Sequence, residues 1–423
     1  MNTNFRFVSV CRLCKSSALE NVLTLEPSPL GDQYLPKGMG AKSANLIPFG
    51  INRCNDCSQF QTITATDPDH YRHCLTRPAA VNSALSVSYR ESVPKLIELT
   101  GLATSDLVLE IGSNDGLFTS FFREGGFRCL GVDPALNLTA SAEELGVQTL
   151  AEFFNSRLAE EIIAEHGLAK VVVANFVVAN VDDLDDFIEG VEKVLAPGGV
   201  FVLETNYVFD IVSKLLIETL VHEHLSYFSV VSLSDFLERH GLEMFDVVRV
   251  PSKAGSLRCY IQRKGSKFSI QPSVYSTRDF EISSGLFRNH VWIEFSRTLV
   301  DARKLIVEFC EQRFFNGIVG YGTSDGATTL IYQLGIGNYL KALIDDDPYR
   351  QNLESPGLGI PTVSREEIFI DPPAASTCLI LAPQYVKQIF DKNPKAQKLG
   401  VTFAKAWPQV EVLPTVGWSG AKI

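Results

Sequence analysis

The stretch Asp106-Leu-Val-Leu-Glu-Ile-Gly-Ser-Asn-Asp-Gly116 restricts the possible folds of this chain more than any other. Leu107, Val108, Leu109 and Ile111 form a short apolar run around Glu110, as a buried strand of a parallel sheet requires. Gly112 and Gly116 let the backbone turn tightly and approach a ligand that a Cβ would obstruct. Leu117, Phe118, Phe121 and Phe122 then recur at i, i+1, i+4 and i+5, which predicts the apolar face of a helix. Strand, glycine loop and helix in this order form a unit that holds a nucleotide-like ligand at the loop.

The flanking sequence extends this unit into a doubly wound α/β sheet. A helix is predicted from about Asn82 to Leu99. Cys129-Leu-Gly-Val-Asp133 reads as a second strand ending in an acid, placed where a carboxylate accepts ribose hydroxyl protons. Lys170 to Asn175 is a third strand. Val181-Asp-Asp-Leu-Asp-Asp-Phe opens a helix with acids in its first turn, where the helix dipole favours them. Leu195-Ala-Pro-Gly-Gly199 is predicted to be a turn before the strand Val200 to Glu204. The loop itself discriminates between ligands. A dinucleotide fold uses Gly-x-Gly-x-x-Gly to seat a pyrophosphate on a helix N-terminus. Here the pattern is Glu-x-Gly-x-x-x-Gly with Asp115 before the second glycine. An acid there repels a pyrophosphate and tolerates a sulfonium, which favours S-adenosylmethionine over NAD.

With 423 residues the chain exceeds one ordinary core, so two or three domains are expected. The net charge of −11 argues against a general nucleic-acid binder. The most apolar run, Val171 to Val181, is interrupted by Asn175 and Asn180 and falls short of a membrane span. The N-terminus lacks a basic segment followed by an apolar one, so a cytoplasmic location is expected. In that compartment nine cysteines are better read as metal ligands or buried apolar residues than as disulfides. Cys11-x2-Cys14 and Cys54-x2-Cys57 supply the two knuckles of a tetrahedral four-thiolate zinc site. With every position taken by a protein thiolate, such a site is closed and structural. Three parts are expected: a zinc-binding module over 1–70, a doubly wound α/β domain suited to S-adenosylmethionine over 71–283 and a second Rossmann-like domain over 284–423.

Val221-His222-Glu223-His224-Leu225-Ser226-Tyr227-Phe228 concentrates two of the seven histidines. Histidines two apart cannot share a helix face, which excludes the metalloprotease His-Glu-x-x-His. In an extended segment they point the same way, so His222 and His224 are expected to face a cleft with Glu223 behind. An imidazole suits removal of a proton from a weakly acidic carbon; a pair of hydrogen-bonded structural histidines is the other reading.

These features, in this order, resemble the nucleotide-sugar C-methyltransferases over nearly the whole chain. The resemblance rests on the two cysteine knuckles, Glu110-Ile-Gly-Ser-Asn-Asp-Gly116, Gly131-Val-Asp-Pro134, Glu152-Phe-Phe154 and His222-Glu-His-Leu-Ser-Tyr-Phe-Ser229. It continues through Gly255-Ser-Leu-Arg258, Gly320-Tyr-Gly322 and Asp345-x-x-Pro348-Tyr349. It implies α-deprotonation of a 4-keto sugar by His224, with Glu223 and His222 in the active site, and an enolate that accepts the methyl group. Candidate cofactor contacts are Glu110, Gly112, Asn114, Gly116, Asp133, Phe153 and Asn175. Candidate substrate contacts are Tyr227, Lys253, Ser256, Arg258 and Tyr321. The chain departs from the family pattern at Val221, where a tyrosine is usual, and at Asn180, where a histidine is usual. It departs also at Lys253-Ala-Gly-Ser-Leu-Arg258, in place of His-Gly-Gly-Ser-Leu-Arg, around Tyr71 to Pro78, and at Ala382-Pro-Gln-Tyr, in place of Trp-Asn. Lys253 either neutralises an anionic group or is a solvated surface lysine.

In the last third, Phe287, Val291, Phe295, Leu299, Leu305 and Phe309 form a helical stripe that is predicted to pack between domains. Gly317 to Gly326 repeats the strand, glycine loop and helix theme, and Ala342-Leu-Ile-Asp345 is the next strand. This second Rossmann-like domain either holds a second cofactor or, as the resemblance implies, supports the substrate. The leading expectation is C-methylation of a nucleotide-linked keto-deoxysugar. Methylation of oxygen or nitrogen on a related acceptor, a nicotinamide oxidoreductase using the loop at 317–326, and a weakened non-catalytic binding subunit are the alternatives.

Overall fold

The computed structural model describes residues 5–39, 42, 44–73, 78–79 and 83–414. Its central sheet has seven strands in the order Leu242–Val250, Ser256–Arg263, Leu195–Asn206, Ala169–Asn175, Leu107–Ile111, Arg128–Val132 and Thr149–Leu150. The last five are mutually parallel, and the first two form an antiparallel hairpin on one edge. All of Leu107–Ile111 is buried. Leu107, Leu109 and Ile111 enter one core with Leu158, Ile162, Phe187 and Val191, while Val108 enters another with Tyr89, Leu96, Phe118 and Phe122. A strand covered on both faces needs apolar residues at every position, which is why this one reads as an unbroken run.

Two expectations change in detail. Leu195 pairs with Ala169 and Val200 with Val171, so the predicted turn at 195–199 is an excursion inside the strand Leu195–Asn206. The long helix Asn289–Arg313 buries Trp292, Phe295, Leu299, Ala302, Ile306 and Phe309, whereas Leu305 is 45% exposed. The buried set alternates spacings of three and four, the period of one helical face, and Leu305 falls beside that line.

The N-terminal part forms an antiparallel sheet of Leu19–Ser28, Ile47–Cys54 and Phe60–Thr62, completed by Ser226–Tyr227 from far along the chain. The C-terminal sheet runs Thr362–Val363, Leu340–Ile344, Ile318–Tyr321, Thr377–Ile380, Thr402–Lys405 and Glu411–Val412, parallel except at the last strand. Ile318–Tyr321 leads through Gly322 and Thr323 into the helix Asp325–Leu334, whose N-cap Ser324 accepts from the Ala327 N–H. The three parts share one core, in which Leu23, Phe49 and Phe60 meet Val208, Ile211 and Tyr227, and these meet Trp292, Phe295, Leu330 and Trp407. Among the described residues no helix is long and apolar enough to cross a membrane.

Candidate active site

A cleft of about 1420 Å³ is lined by residues of all three parts, among them Asp32, Gly112, His224, Lys253 and Asp325. The glycine loop forms one wall. Gly112 has φ 71°, donates its N–H to Val132 O at 2.7 Å, and would place a Cβ 2.1 Å from Val177 Cγ2. Gly116, at φ 76°, caps the helix Leu117–Glu124 from behind the cleft. Asn114 holds φ 52°, and its N–H donates to the Asp133 carboxylate at 2.8 Å, while the Ala135 N–H donates to the other oxygen at 2.9 Å. Asp133 is thus fixed at the end of its strand, facing the cleft, with burial raising its pKa. Phe153 and Asn175 line the same wall, and Asn175 Nδ2 is buried without a hydrogen-bond partner among the described residues. Glu110 is more inward than its motif suggests. Its carboxyl accepts from the Thr119 N–H at 3.2 Å and from the Thr119 hydroxyl, and burial pushes its pKa up to about 8. It braces the strand against the following helix while touching the cleft.

This wall suits S-adenosylmethionine: a Cβ-free Gly112 in the loop, a fixed acid at the second strand end and a buried amide nitrogen without a hydrogen-bond partner among the described residues. Replacing Gly112 by alanine adds a β-carbon where no space exists and penalises the positive φ. We expect it to lower stability by about 1–3 kcal/mol and to abolish cofactor binding in calorimetric titration.

The His-Glu-His segment is a turn, not an extended strand. The His224 N–H donates to Val221 O at 3.2 Å, so His222 and Glu223 occupy the corner and the two histidines diverge. His222 is 3% exposed and packs 4.2 Å from the Phe49 ring, and its Nε2 meets Ser28 O and Oγ at 3.0 and 3.1 Å. Contrary to expectation, it packs into the N-terminal part, apart from the cleft. His224 does line the cleft, and its Nδ1 lies 3.0 Å from Thr219 O. A carbonyl can only accept, so Nδ1 carries the proton and Nε2 keeps its lone pair. Burial, and then the charge of Lys253, hold the His224 pKa below the usual histidine value. Glu223 lines the cleft with Oε2 buried and without a hydrogen-bond partner among the described residues; burial and the nearby Asp325 push its pKa up to about 8.

Lys253 reaches the cleft from a turn in which it and Ala254 have φ 47° and 68°. Its Nζ lies 3.9 Å from the Phe176 ring centroid, and Phe176 is itself at φ 57°. Strained backbone at two adjoining residues is characteristic of a functional site. Lys253 is open to the water of the cleft yet walled by protein, and this surrounding lowers its pKa. It is therefore a cleft lysine, and not one on the open surface.

The other predicted substrate contacts fall elsewhere. Arg258 pairs with Glu204 at 2.7 Å, and Glu204 also accepts from the Ser252 hydroxyl. Ser256 Oγ donates to Ser252 O at 2.8 Å. Both side chains thus brace the turn that carries Lys253. Tyr227 is buried and its hydroxyl bonds the backbone of Val221. Tyr321 lines a separate pocket of about 230 Å³ in the C-terminal part and donates to Asp346 at 2.8 Å. The motifs did not single out Glu218, Phe176, Asn206 or Asp325, all of which line the cleft. The one available signal was an acid, Glu218, shortly before His222.

The Sγ atoms of Cys11, Cys14, Cys54 and Cys57 all lie within 4.8 Å of one another. Cys11 to Cys57 and Cys14 to Cys54 are each 3.5 Å, close to the sulfur spacing of about 3.8 Å implied by zinc–sulfur bonds of about 2.3 Å in a tetrahedron. Four converging thiols, none in a disulfide, fit a structural zinc ion.

Fold and loop together define an S-adenosylmethionine-dependent methyltransferase with an appended zinc module. Comparison with known proteins agrees. Residues 11–71 match the model of a putative zinc binding domain, residues 83–247 that of a methyltransferase domain, and residues 251–408 that of a C-methyltransferase C-terminal domain. The chain is 29% identical over 415 residues to the C-methyltransferase NovU of Streptomyces niveus, covering 96% of this chain and 97% of that one. Solved structures similar to part of it include an S-adenosylmethionine-dependent methyltransferase from Clostridium acetobutylicum (13% identity, 43% of this chain, 92% of that one, TM-score 0.35). Another is the PH0226 protein of Pyrococcus horikoshii (15% identity, 47% and 100%, TM-score 0.37). The chain is an S-adenosylmethionine-dependent methyltransferase that resembles the C-methyltransferases from its zinc module to its C-terminal domain.

Proposed function

We propose that this enzyme methylates a carbon of a nucleotide-linked keto-deoxysugar, with His224 as the base. The observation that carries the reading is the 3.0 Å contact from His224 Nδ1 to Thr219 O, which leaves the basic Nε2 to serve the cleft. Nε2 takes a proton from the carbon next to the ketone; the C–H electron pair becomes the enolate, and that carbon is the nucleophile. When bound, S-adenosylmethionine supplies an electrophilic sulfonium methyl group. Gly112, Asn114 and Asp133 would hold the cofactor, with Phe153 and Asn175 beside them. Lys253 balances negative charge in the cleft and opposes protonation of His224. The pocket at Tyr321, Thr323, Asp345 and Lys392 lies at the carboxyl ends of parallel strands, where α/β sheets take ligands. It shares Ser324, Gln384 and Tyr385 with the cleft, which suits a substrate with a sugar at one end and a nucleotide at the other.

The direct test is incubation with labelled S-adenosylmethionine and a panel of nucleotide sugars, with the product located by NMR. A new carbon–methyl bond is expected. A methyl on oxygen or nitrogen would transfer the reading to those acceptors, and binding of NADH without S-adenosylmethionine would overturn it. The role of Lys253 has its own signature. The base must be neutral, so kcat/KM falls as pH drops through the depressed pKa of His224. Lys253→Gln removes a cation that disfavours the imidazolium, so the acid limb should move to higher pH. An unmoved limb would sever the link between the two residues.

A further inference from the structure

Glu218 belongs to no motif and has no part in the reading above, yet its position is unusual. It sits in a single 3-10 turn, Ile217–Thr219, immediately before the residue whose carbonyl orients His224. Its side chain lines the cleft, and Oε2 is buried with no hydrogen-bond partner among the described residues. A buried carboxyl oxygen left unpaired is destabilising, and such groups in native proteins call for an explanation. The turn packs closely on the helix Asp325–Leu334: a Cβ added at Gly326, in the first turn of that helix, would lie 2.4 Å from Glu218 O.

We propose that Glu218, as a neutral carboxylic acid, donates a hydrogen bond to the ketone oxygen of the acceptor while His224 removes the neighbouring proton. The proposal rests on the function assigned above. Burial pushes the Glu218 pKa up to about 7, so much of the population carries the required proton near neutral pH. Lys405 from the strand Thr402–Lys405 acts on its charge, and Asp325, from the helix packed against its turn, and Glu223 and His224, on its own loop, line the same cleft. Lys405 favours the carboxylate and burial outweighs it. In the step, the C–H bond breaks and its proton goes to His224 Nε2. The electron pair moves into the enolate, and negative charge grows on the oxygen that faces Glu218. The Glu218 O–H stays bonded to Glu218 and strengthens its hydrogen bond to that oxygen. A carboxylic acid kept neutral by an apolar site stabilises an enolate in this way.

The experiment is exchange of the hydrogen next to the ketone in deuterated water, followed by NMR. It uses the full-length zinc-loaded enzyme, nucleotide-linked 4-keto-6-deoxysugars as probes, and S-adenosylhomocysteine in place of the methyl donor. Wild-type enzyme should exchange that hydrogen on at least one probe, Glu218→Leu about 100-fold more slowly, and Glu218→Gln, which keeps an N–H donor, at a rate closer to wild type. The rate of wild type should fall as pH rises through about 7, and Glu218→Gln should lack that decline. Exchange by Glu218→Leu at the wild-type rate would overturn the assignment while leaving the function intact. So would equal losses in Leu and Gln variants that keep the wild-type decline above pH 7. A wild-type enzyme that exchanges no probe but binds the cofactor would overturn the functional reading, and this assignment with it.

Discussion

His224→Ala should lower the methylation rate by about 10²- to 10⁴-fold, the usual contribution of a positioned general base. The imidazole is not exchangeable for another side chain at this position. Its Nδ1–H is committed to Thr219 O, so the tautomer that leaves Nε2 basic is the one the backbone selects. Burial holds it neutral, so the base is ready at pH 7 without an energetic cost of deprotonation. Because His224 faces the cleft and carries no packing role comparable to that of His222, the alanine variant should retain its thermal midpoint and its affinity for S-adenosylmethionine. The loss should therefore appear in kcat. His222→Ala provides the contrast. It removes a buried ring from against Phe49 and leaves Ser28 unpartnered, so stability should fall first and activity only as a consequence. A His224→Ala enzyme that methylates at the wild-type rate would exclude this residue as the base.

Loss of the zinc ion should have the largest effect on folding. Cys54→Ser removes one of four converging thiolates, and a structural zinc site contributes on the order of 10 kcal/mol to the domain that forms it. The damage should not stay in the N-terminal part. Cys54 ends the strand Ile47–Cys54, which pairs with Phe60–Thr62, and that strand pairs in turn with Ser226–Tyr227. The loop that carries Glu223 and His224 is therefore anchored on the sheet that the zinc site closes. We expect the purified variant to hold less than one zinc per chain by elemental analysis and to unfold at a markedly lower temperature. Methyl transfer should be lost even where the methyltransferase sheet survives by circular dichroism. Chelation of the wild-type enzyme should reproduce this. A Cys54→Ser protein with full zinc content and an unchanged midpoint would refute the four-thiolate site.

Some side chains could be placed from the sequence and others could not, and the difference has a physical cause. The glycine loop was legible because Gly112 and Gly116 answer to local backbone geometry, and because strand and helix periodicities on either side extend over only a few residues. The cysteine knuckles were legible because each two-residue spacing suits metal ligation and the zinc ion supplies the reason for two knuckles to meet. The His-Glu-His segment was misread as extended because its backbone has no local signal for a turn. Its shape comes from the Tyr227 hydroxyl holding Val221 and from the pairing of Ser226–Tyr227 with a strand more than 160 residues earlier.

Arg258 makes the same point from the other side. A cation after a glycine–serine turn reads as a substrate contact, but register across the sheet sets Arg258 opposite Glu204, and the ion pair absorbs it. Lys253, five residues away in the turn leading into that strand, has no such partner among the described residues and is left to the cleft. The cofactor class, the α/β architecture and the zinc ligands were thus written in short-range pattern. Which acids and bases share the acceptor side of the cleft was decided by packing among three parts of the chain. Only folding brings His224, Lys253 and Asp325 around one volume, because the three lie on different elements and no spacing within any one element encodes their meeting.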